Sequence, residues 1–181
     1  MQRGTRKEKI VSDDEDRAVL RGLMRKAAEL TGCKIHAYCI MTNHYHILLE
    51  TGDIPIDRFF KYMSTCYARH FNKKYGFSGH VFEARYKSFP VRDDEYFLRT
   101  SRYIHLNPVR AGMVEGPSKY AWSSYRTMLG WEADRITNRE RTLNYFAKPS
   151  EMYYREFVES MELKYCAIDQ EICDEIEGDE G

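Results

Sequence analysis

The first fifty residues follow a helical pattern of apolar positions and then a strand-like one. Apolar side chains recur at helical intervals between Ser12 and Gly32, and the members of this set are Val19, Leu20, Leu23, Met24, Ala27 and Ala28. The spacing of Ser12 and Glu15 is that of a capping box, and Gly32 is typical of a helix C-cap. Residues 34–41 and 44–50 are short and rich in β-forming side chains, with a Thr-Asn turn between them. The pattern predicts one helix followed by a β-hairpin.

The middle of the chain contains two further helical patterns around an irregular stretch. Pro55 suits the first turn of a helix that ends at Gly76, and its apolar stripe consists of Ile56, Phe59, Phe60, Met63, Tyr67 and Phe71. Residues 79–91 indicate a loop that runs into a strand. Three acidic residues at 93–95 favour the start of a third helix, which we expect to end at Asn107–Pro108.

The order of these elements, with a last helix predicted over 145–161, indicates an α+β fold. The arrangement expected is an antiparallel sheet covered by helices on one face. A chain of 181 residues is long enough for one domain with an appendage. We expect a main domain over 1–130, a helical extension over 131–166 and an acidic, flexible tail over 167–181.

The composition is that of an ordinary globular protein, with 43% hydrophobic and 31% charged residues. No apolar run approaches the ~18 residues of a membrane span, and no charged-then-apolar leader opens the sequence. The five cysteines include no CxxC pair, which argues against a thiolate zinc site and a disulfide framework. These features predict a cytoplasmic protein.

The charges are separated along the chain, although the 28 basic and 28 acidic residues cancel. Residues 58–126 contain 13 Lys and Arg against 5 Asp and Glu, whereas residues 167–181 contain 7 acidic residues and no basic one. A basic segment rich in Tyr and Phe suits a nucleic-acid surface, because cations bind phosphates and rings stack on bases. A solvated basic face is the alternative.

Two histidines in the second predicted strand are the first candidates for chemistry. Side chains alternate along a strand, so His44 and His46 point to one side and are able to share a divalent ion. A purely structural role remains the alternative, because this short pattern is common. A histidine-triad nucleotide hydrolase is excluded, because it needs a third histidine where this chain has Leu48.

The third helix supplies the second group of candidates. Tyr103 and Asn107 are four residues apart and share a helical face. A phenol is a poor nucleophile unless a neighbouring metal stabilises its anion, and the Asn107 amide oxygen suits that metal. Packing is the alternative role for Tyr103, and Tyr96 is its rival on nearly the same face. We expect His105 to contact phosphate or to cap a helix.

Several ordered blocks of the sequence resemble a known family. The blocks are MTNHYHILLE, GFSGHVFEARYKS, YIHLNPVRAG and WSSY, and the similarity spans roughly residues 3–129. Together they resemble the single-tyrosine HUH transposases, and within them the REP-associated tyrosine transposases and their insertion-sequence relatives.

The resemblance implies a fold, a reaction and a set of site residues. The fold is a ferredoxin-like antiparallel sheet with the HUH histidines on a central strand. The family's metal ligands fall on His44, His46 and Asn107, the metal being Mg²⁺ or Mn²⁺, and its nucleophile falls on Tyr103. In this family the tyrosine attacks single-stranded DNA, often beside a DNA hairpin, and forms a 5′-phosphotyrosine link. We expect a monomer or homodimer that binds such DNA.

Basic and aromatic residues near these positions are candidates for DNA contact. Those expected to hold backbone phosphates are Arg85, Lys87, Arg92, Arg99, Arg102 and Arg110. Candidate stacking rings are Tyr86, Phe89 and Trp122, with burial in the core as the alternative role for each.

The sequence departs from the family at its start. Members usually begin with a strand of the type YHVTxRG, whereas this sequence opens with Met-Gln-Arg-Gly. The family's first strand is therefore expected to be missing. Either the sequence starts late, or the copy has decayed, or another segment covers the gap. Three hypotheses follow: a metal-dependent DNA strand transferase, a catalytically impaired derivative that binds hairpin or repeat DNA, and a metal phosphohydrolase that uses water.

Overall fold

The computed structural model describes residues 1–160 and Asp174. Its strands are β1 (Gln2–Arg3), β2 (Lys34–Ile40) and β3 (His44–Glu50). Its long helices are α1 (Asp14–Thr31), α2 (Ile56–Tyr75) and α3 (Asp94–Arg110). Three shorter helices follow, α4 (Tyr125–Met128), α5 (Glu140–Leu143) and α6 (Ser150–Glu159). The predicted acidic tail at 167–181 lies outside the described residues except for Asp174.

The strands form one antiparallel sheet in the order β1-β3-β2, so β3 is central. In β1, Gln2 is paired with Tyr45 and Arg3 with His44. The antiparallel α+β fold is confirmed. The first strand, expected to be absent, is present in a two-residue form.

Helices cover both faces of the sheet, whereas one covered face was expected. On one face Tyr38, Ile40 and Tyr45 join a core that includes residues of α1 and α2. On the other face Cys39 and Leu48 pack in a second core with residues of α3. The reason is that β2 is buried at every position after Lys34, so both of its faces need apolar cover.

Two of the helix boundaries that differ from expectation have local causes. The N-cap of α1 is Asp13 rather than Ser12, and its side chain accepts a hydrogen bond from the Asp16 amide at 2.9 Å. Helix α3 continues through Pro108 to Arg110. The proline removes only one donor, and the Ala111 amide beyond it still donates to the Asn107 carbonyl at 2.9 Å.

The outer margins of the sheet are hydrogen-bonded to irregular segments. The predicted strand within 79–91 is wrong, because this segment forms only an isolated bridge, between Gly4 and Phe82. It runs beside the two-residue β1, where the Glu83 amide donates to the Arg3 carbonyl at 3.0 Å. A partner this short offers too little backbone for a regular ladder. On the far side, the Ile40 amide of β2 donates to the Trp122 carbonyl at 2.9 Å.

Helix α6 packs against α3. Leu106, Tyr125, Tyr154 and Val158 belong to one buried cluster that joins the two regions. The helix predicted over 145–161 corresponds to α6, which spans only Ser150–Glu159. The proposed domain boundary near residue 130 stays a prediction. Among the described residues, no helix has the length and apolar character needed to cross a membrane.

Candidate active site

The two histidines of β3 lie on the sheet face that α3 covers. Their ring centroids are 4.8 Å apart and the rings are perpendicular. His46 is 3% exposed and His44 is half-buried. The period-two spacing in a central strand therefore places both imidazoles in one small volume.

Tyr103 reaches the same volume from α3. Its ring centroid lies 5.5 Å from that of His46, again with perpendicular rings. Tyr103 is 1% exposed, and the guanidinium carbon of Arg110 lies 5.0 Å from its ring centroid. The structure thus brings together an imidazole pair and a phenol that are distant in sequence.

Asn107 lies one helical turn beyond Tyr103. Its Nδ2 donates to the Tyr103 carbonyl at 3.0 Å, which fixes the orientation of the amide. The Asn107 side chain is also close enough to His44 and His46 to act on the pKa of each imidazole, where it opposes the lowering that burial causes. The four candidates of the sequence analysis therefore occupy one site.

Burial keeps both imidazoles neutral. It lowers the pKa of His44 to about 4, and the charges of Arg3 and of the Met1 amino group act in the same direction. Burial lowers the pKa of His46 further below its usual range, assisted by His44, the Met1 amino group and Arg3. A neutral imidazole retains the lone pair with which it binds a metal.

The donor atoms fit a divalent ion. His46 Nε2 is buried and has no hydrogen-bond partner within the described residues, an arrangement that costs free energy unless an additional group binds there. The described residues contain no cluster of three His, Cys, Asp or Glu side chains, so the third ligand would be the Asn107 oxygen. Two imidazole nitrogens and one amide oxygen suit a divalent ion such as Mn²⁺.

The predicted basic contacts occupy different environments. Arg85 and Arg92 are exposed, and Lys87 and Arg110 are half-buried near the site. Arg99 forms an ion pair with Glu95 one turn earlier in α3, and its side chain is 19% exposed. These five remain candidates for phosphate contact.

Two residues of α3 that were expected to contact phosphate are buried away from the candidate interface. Arg102 is 2% exposed, with its guanidinium carbon 4.8 Å from the Phe157 ring centroid, because α6 covers that side of α3. His105 is fully buried and hydrogen-bonds to the Tyr154 hydroxyl at 2.8 Å and to Ser124 Oγ at 2.7 Å. Neither environment allows a contact with DNA phosphate.

The candidate stacking rings are mostly held by packing. Tyr86 stacks on Phe60 at a centroid distance of 3.9 Å. Trp122 Nε1 donates to Asp14 at 3.1 Å. Phe89 is 36% exposed and stays a candidate for stacking on a base.

Arg3 is a site residue that the sequence analysis did not single out. It belongs to β1 and is the cross-strand partner of His44. The only signal was the Arg-Gly pair that ends the family's first strand, and a two-residue strand is too short to show a period.

Comparisons with known proteins identify relatives of this chain. Residues 3–107 match the family model described as IS200-like transposase. A putative REP-associated tyrosine transposase of Haemophilus influenzae is 30% identical over 101 aligned residues, covering 49% of this chain and 57% of the relative. The chain thus spans little more than half the length of that relative.

A solved structure has a similar fold. It is a REP-associated tyrosine transposase bound to a REP hairpin, with a TM-score of 0.59 and 17% identity, covering 74% of this chain and 79% of that one. The family match extends over more than half of the sequence, from β1 to Asn107 in the candidate site. The chain belongs to the family of IS200-like transposases.

Proposed function

We propose that this protein is a DNA strand transferase that cleaves and rejoins single-stranded DNA through Tyr103. The observation that supports this proposal most directly is the 5.5 Å separation of the Tyr103 and His46 rings. Nucleophile and ligands are held on rigid elements, and such preorganisation supplies much of the acceleration of a transfer reaction.

The reaction exchanges one phosphodiester bond for another. Tyr103 Oη attacks the scissile phosphorus, and the bond from phosphorus to the 3′ oxygen breaks. The phenolic proton is lost to solvent and the leaving 3′ oxygen gains a proton. The products are a 5′-phosphotyrosine ester and a free 3′ hydroxyl, and attack by a 3′ hydroxyl on this ester rejoins the strand without ATP.

His44, His46 and Asn107 would hold the divalent ion, Mg²⁺ or Mn²⁺. When bound, such an ion neutralises phosphate oxygens and stabilises charge that develops during the transfer. The chain contributes two neutral imidazoles, and the hydrogen bond from Asn107 to the Tyr103 carbonyl keeps the third ligand oriented.

The proposed substrate is single-stranded DNA beside a hairpin. The solved relative is bound to a REP hairpin, and exposed basic side chains such as Arg85 and Arg92 suit a phosphate backbone. Because Tyr103 is 1% exposed, groups covering it must move before a phosphate can reach it. Arg110, which lies over the ring, is one of these groups.

A covalent adduct tests this function. The protein is incubated with labelled hairpin DNA carrying a single-stranded flank, with Mn²⁺ or Mg²⁺, and separated under denaturing conditions. We expect an adduct that is lost in Tyr103→Phe and in His44→Ala. Tyr96→Phe is the matched control, because Tyr96 is a buried tyrosine of the same helix and should leave the adduct unchanged.

Two other outcomes would replace the proposal. Binding without any adduct would indicate a catalytically impaired derivative that recognises hairpin DNA. Cleavage that persists in Tyr103→Phe would indicate a metal phosphohydrolase that uses water.

A further inference from the structure

Arg3 shares a sheet face with the two histidines. It is the direct cross-strand partner of His44, and such partners have Cβ atoms about 5 Å apart on one face. The neighbouring residue confirms the orientation, because Gln2 faces the opposite side. There Gln2 Oε1 accepts hydrogen bonds from the Tyr45 hydroxyl at 2.6 Å and from Ser64 Oγ at 2.7 Å.

The register of β1 with β3 places the positive charge of Arg3 on the sheet face that holds both imidazoles. A half-buried guanidinium on the same face as a pair of metal ligands is placed to bind an anion that the metal ion also binds. A phosphodiester is the anion that the proposed reaction brings to this place.

The backbone holds Arg3 firmly. The Arg3 carbonyl accepts from the Glu83 amide at 3.0 Å, and the next amide, of Gly4, donates to the Asn43 carbonyl at 2.8 Å. Beyond Gly4 the chain folds into a tight turn in which Arg6 and Lys7 have left-handed φ angles of 55° and 60°. Such strained backbone persists only where the surroundings impose it, and it is enriched at functional sites.

We propose that Arg3 is a further catalytic residue whose guanidinium binds the non-bridging oxygens of the phosphate that Tyr103 attacks. This inference rests on the proposed function. Guanidinium groups bind phosphate through paired hydrogen bonds, and a fixed cation stabilises the charge that develops on these oxygens as the tyrosine attacks.

Single-turnover adduct formation tests the role of Arg3. Arg3→Gln removes the charge and should lower the rate of adduct formation roughly 100-fold or more, the usual cost of losing one such donor. Arg3→Lys keeps the charge but lacks the paired N–H donors of a guanidinium. Its rate of adduct formation should lie between those of the wild type and of Arg3→Gln. Arg25→Gln is the control, because Arg25 is an exposed residue of α1 and should react at the wild-type rate.

A substrate with a neutral scissile linkage separates chemistry from structure. In a methylphosphonate, a methyl group replaces one non-bridging oxygen and removes the charge that Arg3 would bind. The penalty of Arg3→Gln should then fall to less than about tenfold, because variant and substrate change remove the same interaction. Circular dichroism and thermal unfolding of each variant check that β1 is still folded.

The outcomes distinguish this inference from the proposed function. A wild-type adduct together with an equally fast Arg3→Gln variant would overturn the role of Arg3 alone. So would an equal penalty on the charged and the neutral substrate, since Arg3 would then act only through the fold. If Arg3→Gln does not fold, the Arg3→Lys variant takes its place. Adduct formation at the wild-type rate would then overturn the role of Arg3, and a slower rate on the charged substrate alone would support it. Absence of an adduct with the wild-type protein would overturn both proposals.

Discussion

Gly4 allows the chain to close onto itself directly after β1. A Cβ atom at this position would lie 2.3 Å from the Glu8 carbonyl oxygen and 2.8 Å from Ile10 Cγ2. Because one of these atoms belongs to the backbone, the turn itself would have to shift. The residue is therefore needed to position Arg3 beside the histidines.

We expect Gly4→Ala to destabilise the protein by about 1–3 kcal/mol through overpacking. The displaced turn should also slow adduct formation. Chemical denaturation and single-turnover rates measure the two effects. Gly22→Ala is the control, because a Cβ there meets no atom within 4 Å and should stabilise the mid-helix position by roughly 0.5–1 kcal/mol. Equal stabilities for the two variants would contradict this account of Gly4.

Spacing rules predicted which site residues share a face. Two residues along a strand and four along a helix are local relations, so the pairing of His44 with His46 and of Tyr103 with Asn107 follows from the sequence. The sequence does not reveal that Arg102 is buried while Arg110 lies at the site, because this difference depends on α6 covering one side of α3. Arg3 was missed because its importance comes from the register of β1 with β3.

At the scale of elements, a buried carboxylate joins the start of α1 to the end of α2. Asp16 is fully buried and accepts hydrogen bonds from the Ser12 amide at 2.8 Å, the Tyr75 hydroxyl at 2.8 Å and Lys74 Nζ at 3.0 Å. Burial alone would raise the pKa of this carboxyl, but these hydrogen bonds outweigh it and lower the pKa below its usual value.

The lowered pKa predicts an acid-dependent contribution to stability. Because the unfolded chain binds the proton more readily, Asp16 stabilises the fold above about pH 4 and loses this effect as the pH falls through its folded-state pKa. We expect Asp16→Asn to cost about 1–3 kcal/mol at neutral pH and to flatten the fall in stability below pH 4. Urea denaturation at several pH values measures both.

Asp53→Asn is the control for this prediction. Asp53 is exposed, and its replacement should change the free energy of unfolding by less than about 0.5 kcal/mol. An Asp16→Asn variant whose stability follows the wild-type pH profile would show that the carboxylate does not contribute in this way.

The elements were predicted well where a local signal existed. Helix periodicity predicted α1 and α2, and their ends were predicted by the glycines at positions 32 and 76, which have left-handed backbone angles. The Thr-Asn turn predicted the β-hairpin. The end of α3 was misplaced because a proline in a last turn costs only one hydrogen bond. The segment 79–91 was misread as a strand because its conformation depends on a distant two-residue partner.

At the scale of the whole molecule, helix α6 completes the core beneath α3. Tyr154 is fully buried, and its hydroxyl hydrogen-bonds to Ser101 Oγ at 2.7 Å and to His105 Nδ1 at 2.8 Å. Helix α6 is thus packed against the helix that contains Tyr103. The sequence did not reveal this contact, since the weak periodicity after Gly130 gave no partner for α6.

We expect Tyr154→Ala to destabilise the protein by about 3–5 kcal/mol, because it opens a cavity and leaves two buried polar groups without a partner. Tyr153→Ala is the matched control, since Tyr153 is 39% exposed and its loss should cost less than about 0.5 kcal/mol. Thermal or denaturant unfolding compares them. Similar small losses for both would mean that α6 is an independent appendage.

Hydrogen bonds at both margins of the sheet limit how two molecules can associate. The segment beside β1 occupies the Arg3 carbonyl, and residues beside β2 occupy the Ile40 amide and the Tyr38 carbonyl. Within the described residues, a second copy that added a strand at either margin would first have to displace these segments, and this protects the sheet from aggregation by edge pairing.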